Sequence, residues 1–166
     1  ADGHEKRTSG TTSTLSSTDQ PGHGNFIISP DEPYDWRSSK NDNLWQGADG
    51  VNNPCPAGFR LPTDAEWSAE RGSWGSNDSA GAFGSPLKLP LAGYRTYDDG
   101  SLSNASLGFY WSSSVVGTFA RLLYFGSSGA GMGGDYRAYG FSVRCIEDKY
   151  TLTTSVTGSG SITVDP

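Results

Sequence analysis

The chain has 166 residues, a formal net charge of −6, 34% hydrophobic residues and 23 glycines. That length suits one domain with a real core, and low apolar content with abundant glycine excludes a helical bundle in favour of short strands and many loops. The acidic balance speaks against a nucleic-acid ligand, which needs a basic face, and no apolar run approaches the ~18 residues of a membrane span.

Residues 1–24 are rich in Ser, Thr and Gly with mixed charges, the composition of an N-terminal arm or linker; the folded domain is expected over 25–148. With no initiator Met or signal-peptide pattern at the start, a mature or excised fragment is expected. His4 and His23 are isolated and read as solvated loop residues. Asn25 to Ser29 is a candidate first strand. Pro30 to Asn53 is irregular, and its Trp36 and Trp45 are expected to anchor long loops onto the core.

The sharpest local signal follows. Cys55 to Pro62 is an extended entry, and Thr63-Asp-Ala-Glu66 has the spacing of a capping box: the Thr63 hydroxyl takes the amide three residues on, and Glu66 reaches back. A helix is predicted from about Asp64 to Glu70 or Arg71, stopping at Gly72, with Trp67 as its core anchor. A cap accounts for Glu66 without a catalytic role. A second short helix is expected over Asn77–Phe83, ended by Gly84 and Pro86. Leu87 to Tyr94 alternates like a strand, although Pro90 confines it to an edge or a bulge. Asp98-Asp99-Gly100 is a turn, and Ser101 to Leu107 a polar loop.

The tract from Gly108 to Ile146 organises the rest. It opens on Tyr110-Trp111, and Ala120 to Phe125 reads as a strand. Alternation on that strand puts Arg121, Leu123 and Phe125 on one face and Leu122, Tyr124 and Gly126 on the other. Gly126 to Gly134 holds five glycines in nine residues and is expected to be irregular. Phe141 to Ile146 is β-like. Tyrosines among Ser and Gly have the composition of a binding surface such as an antibody paratope; the blander alternative is a glycine-rich loop joining two core strands. After a hinge at Glu147-Asp-Lys149, residues 149–166 read as the start of a truncated β-rich module, or as a strand docked back on the domain.

Cys55 and Cys145 lie 145 − 55 = 90 positions apart. Neither belongs to a CxxC or a Cys/His cluster, which leaves a disulfide or two buried thiols. The bridge is favoured because the chain reads as extracellular. No Ser/His/Asp constellation is evident, both histidines lying in the arm.

Four motifs in order carry a resemblance: Cys55-Pro-x-Gly-Phe-Arg-Leu-Pro-Thr-x-x-Glu-Trp67, Leu89-Pro-x-Ala-Gly-Tyr-Arg95, Gly108-x-Tyr-Trp-Ser-Ser113, and Arg137-x-x-Gly-x-Ser-Val-Arg-Cys-Ile146. Over about Phe26 to Asp148 the chain resembles the bacterial major paralogous surface-domain family first seen in Fibrobacter. That family is similar to the formylglycine-generating-enzyme branch of the C-type lectin fold. The resemblance implies an α+β domain with two short helices, a small twisted antiparallel sheet and much irregular chain. Within it, residues 108–146 resemble the variable region of ligand-binding proteins diversified by retroelements. Those elements copy a template with errors at adenines, so that asparagine codons scatter into codons that cannot encode Met, Trp, Gln, Lys or Glu. From Val115 to Arg144 only Met132 is of that set, which makes up about a tenth of the chain.

The positions expected to vary and bind ligand are Phe109, Tyr110, Val116, Phe119, Leu122, Tyr124, Gly126, Gly129, Gly131, Gly133, Asp135, Tyr136, Tyr139 and Phe141, taken as outward strand positions and loop tips. Trp111, Leu123, Phe125, Val143 and Cys145 are expected scaffold. The implied function is non-enzymatic recognition of a protein or other macromolecule by a monomeric domain of a larger cell-surface or virion protein, with no nucleic acid and no direct membrane insertion. The alternatives are a structural adhesin module or a degenerate calcium-independent carbohydrate binder. Formylglycine-generating relatives use active-site cysteines, whereas Cys55 and Cys145 have no reactive pair and no nearby His. Lectins of this fold hold calcium through Glu-Pro-Asn or Gln-Pro-Asp loops and a Trp-Asn-Asp strand; Trp111-Ser-Ser113 lacks the carboxylate and amide. No cofactor is expected, Asp98 and Asp99 remaining candidates for a structural calcium.

Overall fold

The computed structural model describes residues 10–148. The truncated module expected over 149–166, with its hairpin, and His4 lie outside them. At the centre is an antiparallel sheet of β6 (Gly108–Val116), β7 (Phe119–Gly126) and β8 (Gly129–Tyr136), in that spatial order. Two-residue turns join the strands, since Val116 pairs with Phe119 and Gly126 with Gly129. Gly117 has φ +59°, the left-handed value that the first position of a tight hairpin turn requires.

The glycine-rich stretch expected to be irregular is therefore mostly strand. Every residue of β8 is paired with β7, and two of its missing side chains are replaced by one ring. A Cβ on Gly131 would stand 2.5 Å from the Tyr124 hydroxyl and 2.7 Å from its Cζ, and one on Gly133 would stand 3.4 Å from the same ring. Phe125 lies in the same way over Gly108 on the opposite face. β6 is interrupted between Trp111 and Val115, where Ser112, Ser113 and Ser114 bulge opposite Arg121. Ser112 Oγ donates to the Arg121 carbonyl (2.9 Å), and Ser114 Oγ accepts from the Asp64 amide (3.0 Å). Ser112 of the Tyr-Trp-Ser-Ser motif thus satisfies a carbonyl opposite the bulge, and Ser114 just beyond that motif satisfies the first amide of the helix that begins at Asp64.

Helix α1 (Asp64–Gly72) carries the predicted capping box, and Trp67 is buried as expected. Helix α2 (Ser79–Gly84) starts two residues later than predicted because Asp78 is its cap, accepting from the Ala80 and Gly81 amides. Both helices lie on one face of the sheet, where Trp67, Ala82 and Leu89 meet Tyr110, Leu123 and Phe125. The Trp67 indole N–H donates to the Trp111 carbonyl across that interface (3.1 Å). On the other face Leu61 and Phe141 close over Trp111 and Leu122, with Trp45 packed beside them. Burial on both faces is what lets so small a sheet hold its shape.

Short pairs tie in the loops. β1 (Thr11–Thr12) runs parallel to β2 (Phe26–Ile27), so the described part of the segment read as an N-terminal arm or linker pairs with the domain. Ser16 is buried and its amide donates to the Trp36 carbonyl. β3 (Phe59–Arg60) pairs with β9 (Ile146–Glu147), and the Cys55–Cys145 disulfide is formed beside them. β4 (Tyr94–Arg95) pairs with β5 (Leu102–Ser103) around the predicted Asp-Asp-Gly turn. Two expected strands are shorter than the alternation suggested. Leu87 to Gly93 is irregular, with Lys88 and Gly93 at positive φ, and only Tyr94–Arg95 pairs. Phe141 to Cys145 meets β6 at one bridge, Ser142 with Tyr110, before β9 begins.

Candidate recognition surface

Alternation correctly placed Leu122, Tyr124 and Gly126 on one face of β7, but most of that face is covered. Leu122 is 2% exposed and Phe141 is 9% exposed, both in the cluster around Trp111. Tyr110 is 4% exposed and belongs to the helix-side core, where its hydroxyl donates to the Pro90 carbonyl (2.9 Å) and burial pushes its pKa up to about 12. Gly126 is buried, and a Cβ there would stand 2.6 Å from the Leu107 side chain. The outward placement expected for Tyr110, Leu122, Gly126 and Phe141 is therefore corrected. The Phe141 segment folds back over the sheet, and periodicity along β7 carries no information about that cover. Of the expected scaffold positions, Trp111, Leu123 and Phe125 are buried, whereas Val143 is exposed.

The other positions are accessible. Val116, Phe119 and Tyr124 are exposed, and Phe109, Gly129, Gly131, Gly133, Asp135, Tyr136 and Tyr139 are half-buried. Several meet residues that sequence reasoning did not select. Tyr34, from an irregular loop, and Tyr94 and Tyr97, from β4 and the turn that follows it, join Tyr136, Tyr139 and Phe109 in a continuous set of ring contacts. Tyr34 lies 4.3 Å from Tyr136, Tyr97 lies 4.8 Å from Tyr139 edge-on, and Tyr94 lies 5.2 Å from Phe109 edge-on. Phe119 stacks on Tyr136 at 5.4 Å, extending the set to the β6–β7 turn. Phe141 and Trp111, 4.4 Å apart, root it in the core.

Backbone bonds fix the loops that carry these rings. The Ala138 amide donates to the Tyr34 carbonyl (3.1 Å), the Ser29 amide to the Tyr97 carbonyl (2.7 Å), and Arg95 and Gly140 exchange both bonds at 2.9 Å. Gly140 must be glycine, since a Cβ would stand 2.8 Å from the Arg95 Cβ and 2.9 Å from the Phe26 ring. Beneath the face, Arg137 is 7% exposed; it donates to Asp42 (2.6 Å) and to the Gly117 carbonyl (3.1 Å) and stands 3.9 Å from buried Asp35. It locks the Asp35–Asp42 loop to the β6–β7 turn, which gives the arginine of the last motif a structural task.

Burial first, then the carboxylate of Asp135, holds the Tyr139 hydroxyl at about 12. Burial also raises the Asp135 carboxyl, partly offset by the bond it accepts from the Tyr136 amide. At neutral pH Tyr139 is therefore a neutral phenol. Glu66 serves the cap and a bidentate pair with Arg60 (2.8 Å), which brings its carboxyl down to about 2. Asp99 accepts from Thr96 Oγ1 and from the Ser101 amide, and Asp98 from the Asp99 amide, so both serve the turn. Among the described residues no group of three His, Cys, Asp or Glu side chains is arranged to hold a metal ion, and no helix is long and apolar enough to cross a membrane.

Two clefts open among the described residues. One of about 50 Å³ lies between Trp36, Trp45, Trp111 and Arg137, too small for more than a water or two. The other, about 370 Å³, opens on the far side between Ser73–Ser76 and Ala80–Pro86, away from the tyrosines. A contiguous, half-exposed aromatic face set by backbone bonds can bury ring area against a macromolecule with little further ordering. No protein-family model, curated protein or solved structure matches the chain.

Proposed function

We propose that the chain is a non-enzymatic recognition domain of the C-type lectin-like kind, carried on an extracellular, cell or virion surface, whose 108–146 tract is diversified by a retroelement to bind a protein or other macromolecule. One observation carries this: Phe109, Phe119, Tyr136 and Tyr139 of that tract converge with Tyr34, Tyr94 and Tyr97 on one continuous ring surface. Aromatic rings of this kind are the anchors that dominate macromolecular interfaces. The disulfide fits an oxidising compartment.

Sequencing the coding locus tests it. The expected result is an adenine-rich near-copy of the 108–146 segment beside a reverse transcriptase gene. Its mismatches should fall on codons for accessible residues such as Val116, Phe119, Tyr124 and Tyr139, and spare Leu123 and Phe125. A locus without that copy removes diversification from the account.

A further inference from the structure

We propose that the tyrosine face takes a basic partner, a lysine- or arginine-bearing segment of another protein; this rests on the recognition reading above and narrows it to one chemistry. The rings of Tyr34, Tyr97, Tyr136 and Tyr139 touch one another at 4.3 to 6.4 Å. Three of them have carboxylates close by in the chain. Asp31 and Glu32 lie in the turn closed by the Tyr34 amide on the Asp31 carbonyl (2.9 Å). Asp98 follows Tyr97 and Asp135 precedes Tyr136 in the chain. The chain thus brings acidic neighbours to the cluster with Tyr34, Tyr97 and Tyr136, and the rise in the Tyr34 and Tyr139 pKa values, set by burial first and then by these carboxylates among other groups, agrees with that placement.

None of those four carboxylates is in an ion pair among the described residues. The cations nearby are already engaged. Arg137 lies buried against Asp35 and Asp42, Lys40 pairs with Asp42 at 2.8 Å, and the Arg95 guanidinium covers Phe26 at 4.5 Å. Ring faces are electron-rich and attract ammonium and guanidinium groups, and carboxylates at the rim add negative charge to that attraction. The chain as a whole is at −6, so its field draws cations in rather than repelling them. A neutral or acidic partner would have to desolvate the same carboxylates with nothing to pair them.

The experiment is a selection of random-sequence displayed peptides on the full chain, followed by titration of the enriched peptides as synthetic ligands against wild type, Tyr97→Ser/Tyr139→Ser and Asp98→Asn/Asp135→Asn. Urea melts confirm that each variant is folded, and Tyr97→Phe/Tyr139→Phe keeps the rings should the serine pair unfold. The expected peptides need the rings, carry net positive charge, and bind roughly tenfold more weakly to the Asn pair, with affinity falling as salt rises. Ring-dependent peptides that are neutral or acidic, or that ignore the Asn pair, overturn the basic partner while leaving recognition in place. Peptides that bind the serine pair as well as wild type overturn both.

Discussion

Gly108 and Gly131 each lie under an aromatic ring of the partner strand, on opposite faces of one sheet, and adding one methyl at each should give very different results. A Cβ on Gly108 would come within 2.3, 2.5 and 2.8 Å of three atoms of the Phe125 ring. That ring is 1% exposed and is walled in by Tyr110 at 5.8 Å and Trp74 at 5.7 Å, so it has nowhere to move. Overpacking of a rigid site costs about 1–3 kcal/mol, and the upper end applies here. Replacing a strand glycine returns about 0.5–1 kcal/mol through the unfolded chain, which leaves Gly108→Ala destabilised by roughly 2 kcal/mol. A Cβ on Gly131 meets the Tyr124 ring at nearly the same distances, but that ring is 44% exposed and can swing into solvent. Its penalty should cancel against the same gain to within about 0.5 kcal/mol. In urea, with a slope of about 2 kcal/mol per molar, the first midpoint falls by about 1 M and the second by less than about 0.3 M. Phe125→Leu should then abolish most of the Gly108→Ala cost, a coupling above about 1 kcal/mol in a double-mutant cycle. Equal midpoint shifts for the two alanines, or an undiminished Gly108→Ala cost in the Phe125→Leu background, would refute the ring-over-glycine account.

Leu122→Ser should destabilise by about 2–5 kcal/mol and Tyr124→Ser by less than about 1, because the first empties buried volume and the second removes a half-exposed ring; melts with similar midpoints would contradict the two-sided burial of β7. Thiol titration of the denatured, unreduced chain should find no free cysteine among Cys55 and Cys145, and reduction should remove about 4–5 kcal/mol on the chain-entropy account of a loop this long. Glu66→Gln keeps the cap but loses the charge paired with Arg60. Since the folded pKa of Glu66 is depressed to about 2, its contribution is fully present above the unfolded value of about 4.5 and is lost as pH falls towards 2. With the carboxylate 40% exposed, solvent screening holds that contribution to about 1 kcal/mol, so the gap between wild type and variant in urea should close between pH 4.5 and 2 and stay constant above.

What could be read from the chain was local. Thr63 and Glu66 announce α1 because a capping box is a contract between residues three apart, and the helix starts where they say. Ala120 to Phe125 shows itself as strand through bulky residues in alternation. β8 does not, because its strand character is lent by rings on its neighbour: Tyr124 covers Gly131 and Gly133, and glycine composition alone mimics a loop. Alternation sorted β7 correctly into two faces yet could not say that Phe141 covers Leu122, since that contact depends on a bridge between Ser142 and Tyr110. Tyr34 and Tyr97 escaped selection for the same reason. Each sits in a polar loop beside acidic residues, and only nonlocal bonds to Ala138 and Ser29 bring them to the surface formed by the tract. A tyrosine next to Asp in an otherwise irregular stretch was the one available hint.

The way the rings are rooted bears on how such a face can change. Tyr139 touches Tyr94, Tyr97, Tyr136 and Phe141, and through Phe141 it reaches Trp111 in the core. Among the described residues Tyr124 and Val116 make no ring contact of that kind, and they stand on strands whose ladder bonds hold whatever side chain they carry. Substitution at Tyr139 therefore loosens neighbours that are themselves recognition residues, and its effects should be non-additive with those at Tyr97 and Tyr136. Substitution at Tyr124 or Val116 should act alone. The surface thus has a coupled centre, where rings pre-order one another and lower the entropic cost of burying them, and an independent margin, where residue identity is free to vary. Affinity is expected to reside in the centre and discrimination between partners at the margin, since a change there alters contacts without unsettling the rings that make binding favourable.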